Sequence, residues 1–267
     1  MERQVSRMKY KKFWKEVQHY QKPTRRLVLK TADIDQMSLT RIGGAPWWPK
    51  GKARPRCIKG HLMSFMAQIG LGDVPGIPQP DEALLSFHYC QECTYEGSMA
   101  WGLSDIEDTI NGYDLTIFED WRSVESDGLG IVAEDVLGPH GVSFSDREET
   151  PSLEDIWEID KLSSLLPRGG GDDDDDELNC IFSDASSFDE AQFPSFIHIP
   201  TSKLGGWPSW CQTAKWPEHE GRHLIFVAQI DYVLGENASW GGGGYAYLFL
   251  ASEANTKRSA AFLIQTT

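Results

Sequence analysis

Arg41-Ile42-Gly43-Gly44-Ala45-Pro46-Trp47-Trp48 is the stretch that decides the fold, because it returns as Lys203-Leu204-Gly205-Gly206-Trp207-Pro208-Ser209-Trp210. Each copy leads into an apolar run that ends in Ala-Gln-Ile, at 67–69 and at 228–230. From Gly44 to Gln68 there are 24 residues, and from Gly206 to Gln229 there are 23. Another apolar run begins 16 residues after each glutamine. Three landmarks in one order, at nearly one spacing, predict an internal duplication.

Both copies favour turns followed by strands. Glycine adopts positive φ without a steric penalty and proline fixes its own φ. We therefore predict structural turns at Gly43, Gly44, Pro46, Gly205, Gly206 and Pro208. Short apolar runs without a helical period, bounded by turn residues, are typical of strands. We expect strands at 26–30, 62–69, 84–89, 113–118, 245–251 and 260–265.

These elements predict an α+β fold dominated by antiparallel sheets. Two tandem related β units are expected to pack with pseudo-two-fold symmetry, since neither unit has enough strands to bury a face alone. We divide the chain into a basic amphipathic helix with its lead-in (1–32), a first β repeat (33–121), an irregular acidic connection (122–195) and a second β repeat (196–267). All four parts are expected to form one globular unit.

The N-terminal helix is predicted over residues 2–21. Tyr10, Phe13, Trp14 and Val17 recur at helical spacing with lysines between them, and Pro23 ends the pattern. A basic amphipathic helix binds membranes, grooves or acidic proteins. The alternative is that it packs on the acidic body of its own chain.

The charge of the chain is unevenly distributed. Its net charge is −15, yet residues 1–30 hold ten basic residues against Glu2 and Glu16, which leaves 15 basic and 38 acidic residues in 31–267. An acidic body repels nucleic acid and attracts basic partners. The dense run Asp172–Glu177 is expected to be a solvated loop, because it lacks the alternating ligands and bending glycine of a calcium loop.

The location is expected to be cytoplasmic. No apolar run approaches the roughly 20 residues of a membrane span, and no signal peptide is recognisable. Five cysteines in a chain without a secretion signal do not indicate a disulfide framework.

A zinc site is the candidate with the most defined chemistry. Cys90 and Cys93 are separated by two residues, a spacing that lets two thiolates reach one zinc ion from a turn. Cys57 and His61 precede the strand at 62–69, and antiparallel pairing with the strand at 84–89 would bring all four together. The sequence predicts structural zinc on Cys57, His61, Cys90 and Cys93, with four reduced, unliganded side chains as the alternative.

The repeated aromatic and glutamine residues have two interpretations. Trp47, Trp48, Trp207 and Trp210 either pack in the core or anchor a protein or peptide partner, a role that suits tryptophan at interfaces. Gln68 and Gln229 either hydrogen-bond the Gly-Gly turns or bind the partner backbone. His88, within an apolar strand, is expected to be a core histidine.

The doubled Gly-Gly-x-Pro element, each followed by Ala-Gln-Ile, resembles the YwqG-like bacterial proteins over roughly 40–90 and 200–250. Trp240–Gly244 is similar to the Trp-Gly-Asp-x-Gly turn of that family, with Gly242 at the position of the aspartate. The family is in turn similar to the eukaryotic programmed-cell-death-two proteins. The resemblance implies a protein-binding fold, in an immunity protein for a toxin or in a client chaperone such as one for a ribosomal protein.

Two functional hypotheses follow. The first is a non-enzymatic cytoplasmic module that binds a basic protein. The second is a hydrolase-like enzyme with a site in the crevice between the repeats, although the chain contains neither Gly-x-Ser-x-Gly nor His-Glu-x-x-His.

Overall fold

The computed structural model describes residues 13, 15–30, 39–43, 46, 48, 52–77, 83–90, 113–118, 140–165, 201–231, 244–251 and 260–266. The described strands are β1 (Lys22–Lys30), β2 (Arg41–Ile42), β3 (Ser64–Gly70), β4 (Leu84–Tyr89), β5 (Tyr113–Phe118), β6 (His140–Glu149), β7 (Lys203–Gly205), β8 (Glu218–His219), β9 (Arg222–His223), β10 (Ile225–Asp231), β11 (Gly244–Leu250) and β12 (Ala260–Thr266). Two short helices are α1 (Leu153–Glu158) and α2 (Asp160–Ser163), and 3-10 turns occur at Gln18–Tyr20 and Leu71–Asp73. The described part is therefore mostly antiparallel sheet with a few short helices.

Ten of the described strands form one sheet in the order β12-β11-β10-β7-β1-β6-β2-β3-β4-β5. The long strands β1 and β6 are at its middle and pair from Lys22 opposite Glu149 to Lys30 opposite Gly141. The short strands β7 and β2 flank this pair. Beyond them lie β10 and β3, each paired with the strand that follows it in the main sheet. A separate hairpin consists of β8 and β9.

The sheet curls so that its two edge strands approach each other. Strand β12 contacts β5, and the ring of Phe262 lies 4.7 Å from the ring of Phe87 on β4. One apolar cluster accordingly includes Leu27 of β1, Leu85 of β4 and Leu248 of β11. The inner face of the sheet is therefore a single core shared by both halves of the chain.

The outer face is covered by the loops that follow the Gly-Gly turns. In the first half Trp48 is 1% exposed and its ring lies 5.0 Å from that of His88. In the second half Trp210 stacks on Phe249 at 6.2 Å and lies 5.1 Å from Tyr247. Because both faces are covered, all six residues of β4 are buried.

The predicted strands at 84–89 and 113–118 are confirmed with the same limits. The strands predicted at 62–69, 245–251 and 260–265 occur at Ser64–Gly70, Gly244–Leu250 and Ala260–Thr266. The run at 26–30 is the second half of the longer β1, which includes Pro23. Proline is tolerated there because the pairing with β7 begins only at Thr24, so Pro23 has a paired strand on one side alone.

Two other expectations fare differently. Residues 15–17 are helical, whereas 1–12 and 14 lie outside the described residues, so the helix over 2–21 stays a prediction.

The connection 122–195, expected to be irregular, contributes β6, α1 and α2. Residues 143–148 of β6 are largely polar and mostly exposed, so no apolar alternation marks them as a strand, and the pairing with distant β1 forms it. The run Asp172–Glu177 lies outside the described residues.

No helix in the described ranges has both the length and the apolar character needed to cross a membrane.

Candidate functional site

A tight hairpin precedes β3 and carries two of the predicted metal ligands. The backbone N–H of Cys57 donates to the carbonyl of His61 at 3.0 Å, and the N–H of Gly60 donates to the carbonyl of Cys57 at 2.8 Å. Gly60 has φ +87°, a left-handed conformation that glycine adopts readily. The backbone N–H of His61 lies 3.3 Å from the sulfur of Cys57 and donates to it. Three hydrogen bonds therefore close the hairpin around Cys57.

Cys90 completes a group of three ligand residues. It follows the last residue of β4, Tyr89, which pairs with Ser64 at the start of β3. The Nδ1 atom of His61 lies 3.9 Å from the sulfur of Cys90, and the ligand atoms of Cys57, His61 and Cys90 all lie within 4.8 Å of one another. The predicted proximity is thus confirmed for these three residues, and Cys93 lies outside the described residues.

The donor set suits a soft or borderline metal ion. Bonds of about 2.0–2.3 Å to nitrogen and sulfur separate the ligands of tetrahedral zinc by roughly 3.3–3.8 Å, close to the 3.9 Å between His61 Nδ1 and the Cys90 sulfur. Cys57 and Cys90 are 5% and 2% exposed and pack with Met63. We call Cys57, His61 and Cys90 the thiol–imidazole cluster.

A buried ion pair lies behind the second Gly-Gly turn. Lys203 and Glu149 are both 0% exposed, and the Lys203 Nζ lies 2.5 Å from the Glu149 Oε1. The ammonium also donates to the hydroxyl of Ser209 at 3.0 Å, and Glu149 Oε2 accepts from the backbone N–H of Trp207 at 3.0 Å. Burial lowers the pKa of Lys203, and the nearby charge of Glu149 opposes that shift.

Asp155 holds the loop that follows the second Gly-Gly turn through hydrogen bonds to two of its tryptophans. Its Oδ1 accepts from the indole N–H of Trp210 at 3.0 Å and of Trp216 at 2.8 Å, and its Oδ2 accepts from Ser152 at 2.9 Å. Burial raises the pKa of Asp155, while these hydrogen bonds and the charge of Lys22 act in the opposite direction. The Nζ of Lys22 lies 3.5 Å above the ring of Trp207, so β1 is attached to the same loop.

The residues predicted to bind a partner are buried wherever they are described. Trp48, Trp207 and Trp210 are at most 8% exposed, and Gln68 and Gln229 are 0% exposed. Gln229 accepts from the N–H of Ser209 at 2.7 Å and donates to the carbonyl of Thr201 at 3.1 Å. Gln68 likewise donates to the carbonyl of Leu39 at 2.9 Å. These contacts are structural, and the role of the five residues in partner binding stays a prediction; Trp47 lies outside the described residues.

Three of the glycines predicted to form turns have positive φ. Gly43, Gly205 and Gly206 have φ of 68°, 63° and 75°. A Cβ atom on Gly206 would lie 2.2 Å from the Glu149 Oε2, so this glycine also makes room for the buried carboxylate. Pro46 and Pro208 are buried, and Gly44 lies outside the described residues.

Sequence reasoning assigned no role to Glu149, Asp155, Lys203 or Trp216. Glu149 ends a charged run that reads as solvent-exposed, and Lys203 stands in a turn sequence. Ser152 and Asp155 have the spacing of a helix cap, and the Asp155 N–H does donate to the Ser152 hydroxyl at 3.1 Å. That signal predicts a helix start and gives no reason to expect bonds to two indoles.

Comparison with known proteins adds a family. Among curated proteins, none matches the chain significantly. The family model of a domain of unknown function, DUF1963, matches residues 40–259, from just before β2 to just before β12. The match therefore covers both Gly-Gly turns, the thiol–imidazole cluster and the buried ion pair. The chain belongs to the DUF1963 family.

Proposed function

We propose that this protein is a non-enzymatic cytoplasmic module that binds a basic protein partner. The observation that carries the proposal is Trp157 of α1, which is 45% exposed. Glu154, Glu158 and Asp160 lie within three residues of it, and the last two are exposed. An indole among carboxylates suits a Lys- or Arg-rich segment, through apolar contact, cation–π attraction and charge. The excess of acidic residues in 31–267 would steer such a partner toward the surface.

The likeness to YwqG-like proteins, and through them to the programmed-cell-death-two chaperones, supports a role as immunity protein or client chaperone. Among the described residues Cys57, Cys90 and Cys211 form no disulfide with one another, which fits a reducing compartment. Either role needs a surface that recognises one protein. The candidate is the surface formed by Trp157 with Glu154, Glu158 and Asp160, which we call the Trp157 surface.

An enzyme site between the repeats has weaker support. A shallow groove of about 400 Å³ beside β1 is lined by Pro23, Thr24, Arg25, Pro75, Asp146, Arg147 and Glu148. The hydroxyl of Thr24 donates to the carbonyl of Leu204 at 3.2 Å, and this described lining offers neither an imidazole nor a thiol. Hydrolytic chemistry generally needs a base close to a nucleophile; carboxylates are present here, but the hydroxyl of Thr24 is bonded to a backbone carbonyl, so we favour the binding role.

The binding proposal is tested with a partner that is captured, identified and then purified. We expect binding to weaken as salt rises, because exposed charges are screened. Trp157→Ala should weaken it about tenfold or more, as for a central aromatic anchor. Ile58→Ser is the matched control, since Ile58 is also an exposed apolar residue but lies on the hairpin before β3. Salt-independent binding, or equal affinity of wild type and Trp157→Ala, would refute the proposal.

We also propose that the fold arose by duplication, with the repeats related about the β1–β6 pair. The strand order β12-β11-β10-β7-β1 mirrors β5-β4-β3-β2-β6. Hydrogen bonds repeat as well: the Gly70 N–H donates to the Thr40 hydroxyl at 3.0 Å, and the Asp231 N–H donates to the Ser202 hydroxyl at 2.9 Å. In this arrangement β1 takes the place in the second half that β6 takes in the first.

We propose zinc as the ion of the thiol–imidazole cluster, with Cys93 as its fourth ligand. Zinc bound there would hold the hairpin at 57–61 to the end of β4 and thus fasten the segment that leads from Trp48 to β3. A site of this kind is structural because four protein ligands leave no open position for substrate.

Metal analysis of protein purified without chelators tests this assignment. We expect about one zinc ion per chain, lost in Cys57→Ser and Cys90→Ser and retained in the control Cys211→Ser. Chelation should lower the thermal midpoint of the wild type and leave that of Cys90→Ser unchanged. Wild-type protein that is metal-free after zinc addition, with the same midpoint as before, would overturn the proposal.

A further inference from the structure

The region around the first hairpin has the opposite charge to the rest of the chain. Residues 36–72 contain no Asp or Glu and six basic residues, Arg41, Lys50, Lys52, Arg54, Arg56 and Lys59. The remainder of the chain has 19 basic against 40 acidic residues. A surface charge that only keeps an acidic protein soluble does not explain a segment of the opposite charge.

The tip of this hairpin exposes both charge and an apolar side chain. Ile58 is 75% exposed, the highest value among the large apolar residues that the structure describes as exposed. Lys52, Arg56 and Lys59 are exposed as well. We call Arg56, Ile58 and Lys59 the basic knuckle; the Nζ of Lys52 lies 5.2 Å from the centroid of the Trp48 ring and is not counted in it.

Hydrogen bonds within the hairpin fix the backbone of the basic knuckle. Arg56 forms an antiparallel bridge with Leu62, and its Nη1 donates to the carbonyl of Gly60 at 2.7 Å. Cys57, next to Ile58, is 5% exposed. The exposed isoleucine therefore stands on a fixed turn, and a partner that binds it would spend little free energy on ordering the loop.

We propose that the basic knuckle is a binding site for an acidic polypeptide segment that carries an apolar side chain. The apolar side chain packs on Ile58, and the flanking carboxylates pair with the ammonium and guanidinium groups around it. Charge gives attraction and orientation, and burial of the isoleucine gives the short-range part of the affinity.

A short acidic segment fits this surface better than nucleic acid or a membrane. Sequence-tolerant binding of single strands relies on aromatic platforms, whereas the exposed apolar residue at this tip is aliphatic. A duplex or an anionic bilayer presents negative charge over many Debye lengths and would also meet the acidic remainder of the chain. At a Debye length of about 10 Å, a short segment at the tip interacts chiefly with the local positive charge.

This inference is independent of the proposed basic partner, which binds the Trp157 surface. It also does not require the metal, because the backbone hydrogen bonds described above define the turn.

The probe is a fluorescent peptide of about ten residues in which Asp and Glu flank two central leucines, measured by anisotropy at low salt. We expect saturable binding that weakens about tenfold or more when the salt is raised to about 0.3 M. Ile58→Ser should weaken it about fivefold, by removing buried apolar surface. Lys59→Glu should weaken it about tenfold, by replacing attraction with repulsion. The matched control Arg222→Glu makes the same charge reversal on the exposed β9 of the other hairpin and should bind as the wild type does.

Three results would overturn the proposal: no binding at low salt, equal affinity of the wild type and the two knuckle variants, or tighter binding of a single-stranded oligonucleotide or of anionic vesicles than of the peptide. All substituted residues are exposed, and unchanged thermal midpoints verify that the variants are folded. Trp157→Ala should bind the peptide normally, so failure of one proposal is distinguishable from failure of the other.

Discussion

The buried pair of Lys203 and Glu149 gives the sharpest test of how this fold is held together. Both side chains are 0% exposed, and their charged atoms are 2.5 Å apart. In Lys203→Met the carboxylate keeps the N–H of Trp207 but loses its counter-charge. Breaking one partner of a buried pair costs about 3–5 kcal/mol, because an uncompensated charge stays in the interior. We expect the same range for Glu149→Gln, which leaves the ammonium without a charged partner.

The double variant decides whether this reasoning is right. With Lys203→Met and Glu149→Gln together neither member of the pair is charged, and the loss should fall to about 1–3 kcal/mol, the cost of imperfect hydrogen bonding. The coupling between the two sites is then about 3 kcal/mol or more, at the upper end for contacting residues.

Urea unfolding followed by tryptophan fluorescence measures these differences. A loss of 3 kcal/mol, at a slope of about 3 kcal/mol per molar or less, moves the midpoint by about 1 M or more. The control is Asp146→Asn, which breaks the exposed pair of Arg25 and Asp146, where Asp146 is 70% exposed. That change should cost about 1 kcal/mol or less. Additive effects of the two buried substitutions would refute the interpretation that the ion pair acts as one unit.

Three further predictions concern residues that fix the Gly-Gly turns and the loops after them. Gly206→Ala should prevent stable folding, because the new Cβ would lie 2.2 Å from Glu149 Oε2. The control Gly221→Ala should cost only about 1 kcal/mol in the same unfolding assay, because Gly221 has φ 71° but no atom within 4 Å of a Cβ placed there. Gln229→Leu should cost about 2–4 kcal/mol of stability, because it leaves the Ser209 N–H and the Thr201 carbonyl without their partner. Gln68→Leu should cost a similar amount if the repeats are equivalent. Unchanged stability in either variant would count against the structural role of these glutamines. The folded-state pKa of Asp155 is raised above 3.8, so the folded state binds more protons at this residue than the unfolded state does. Its contribution to stability therefore falls as pH rises from about 4 through the folded pKa. Asp155→Asn should gain stability relative to wild type over that pH range, and a stability difference that stays constant across pH would contradict the assignment.

Much of the sheet was predictable because its signals are local. The apolar runs at 84–89 and 113–118 are strands with those limits. Consecutive strands tend to pair, so the meeting of Cys57, His61 and Cys90 followed from the order of β3 and β4 alone. The family resemblance likewise depends on short motifs that lie near each other in the chain.

The centre of the sheet was not predictable in this way. Strand β6 pairs with β1 more than a hundred residues away, and three consecutive exposed polar residues, Asp146, Arg147 and Glu148, interrupt any apolar alternation. The basic knuckle is also not visible in the net charge, because net charge averages a segment without acidic residues with the acidic remainder of the chain.

What the sequence alone determined is six of the described strands, the doubled turn and the grouping of three metal-ligand side chains, since each depends on residues close together or on neighbouring strands. The tertiary structure decided which charges and aromatic rings are buried. Glu149 meets Lys203 across 54 residues, and Asp155 meets Trp210 across 55. The physical reason is that a charge or an indole N–H is stable inside a protein only where a partner of matching chemistry reaches it. In the doubled Gly-Gly turn that partner arrives from a distant strand or helix.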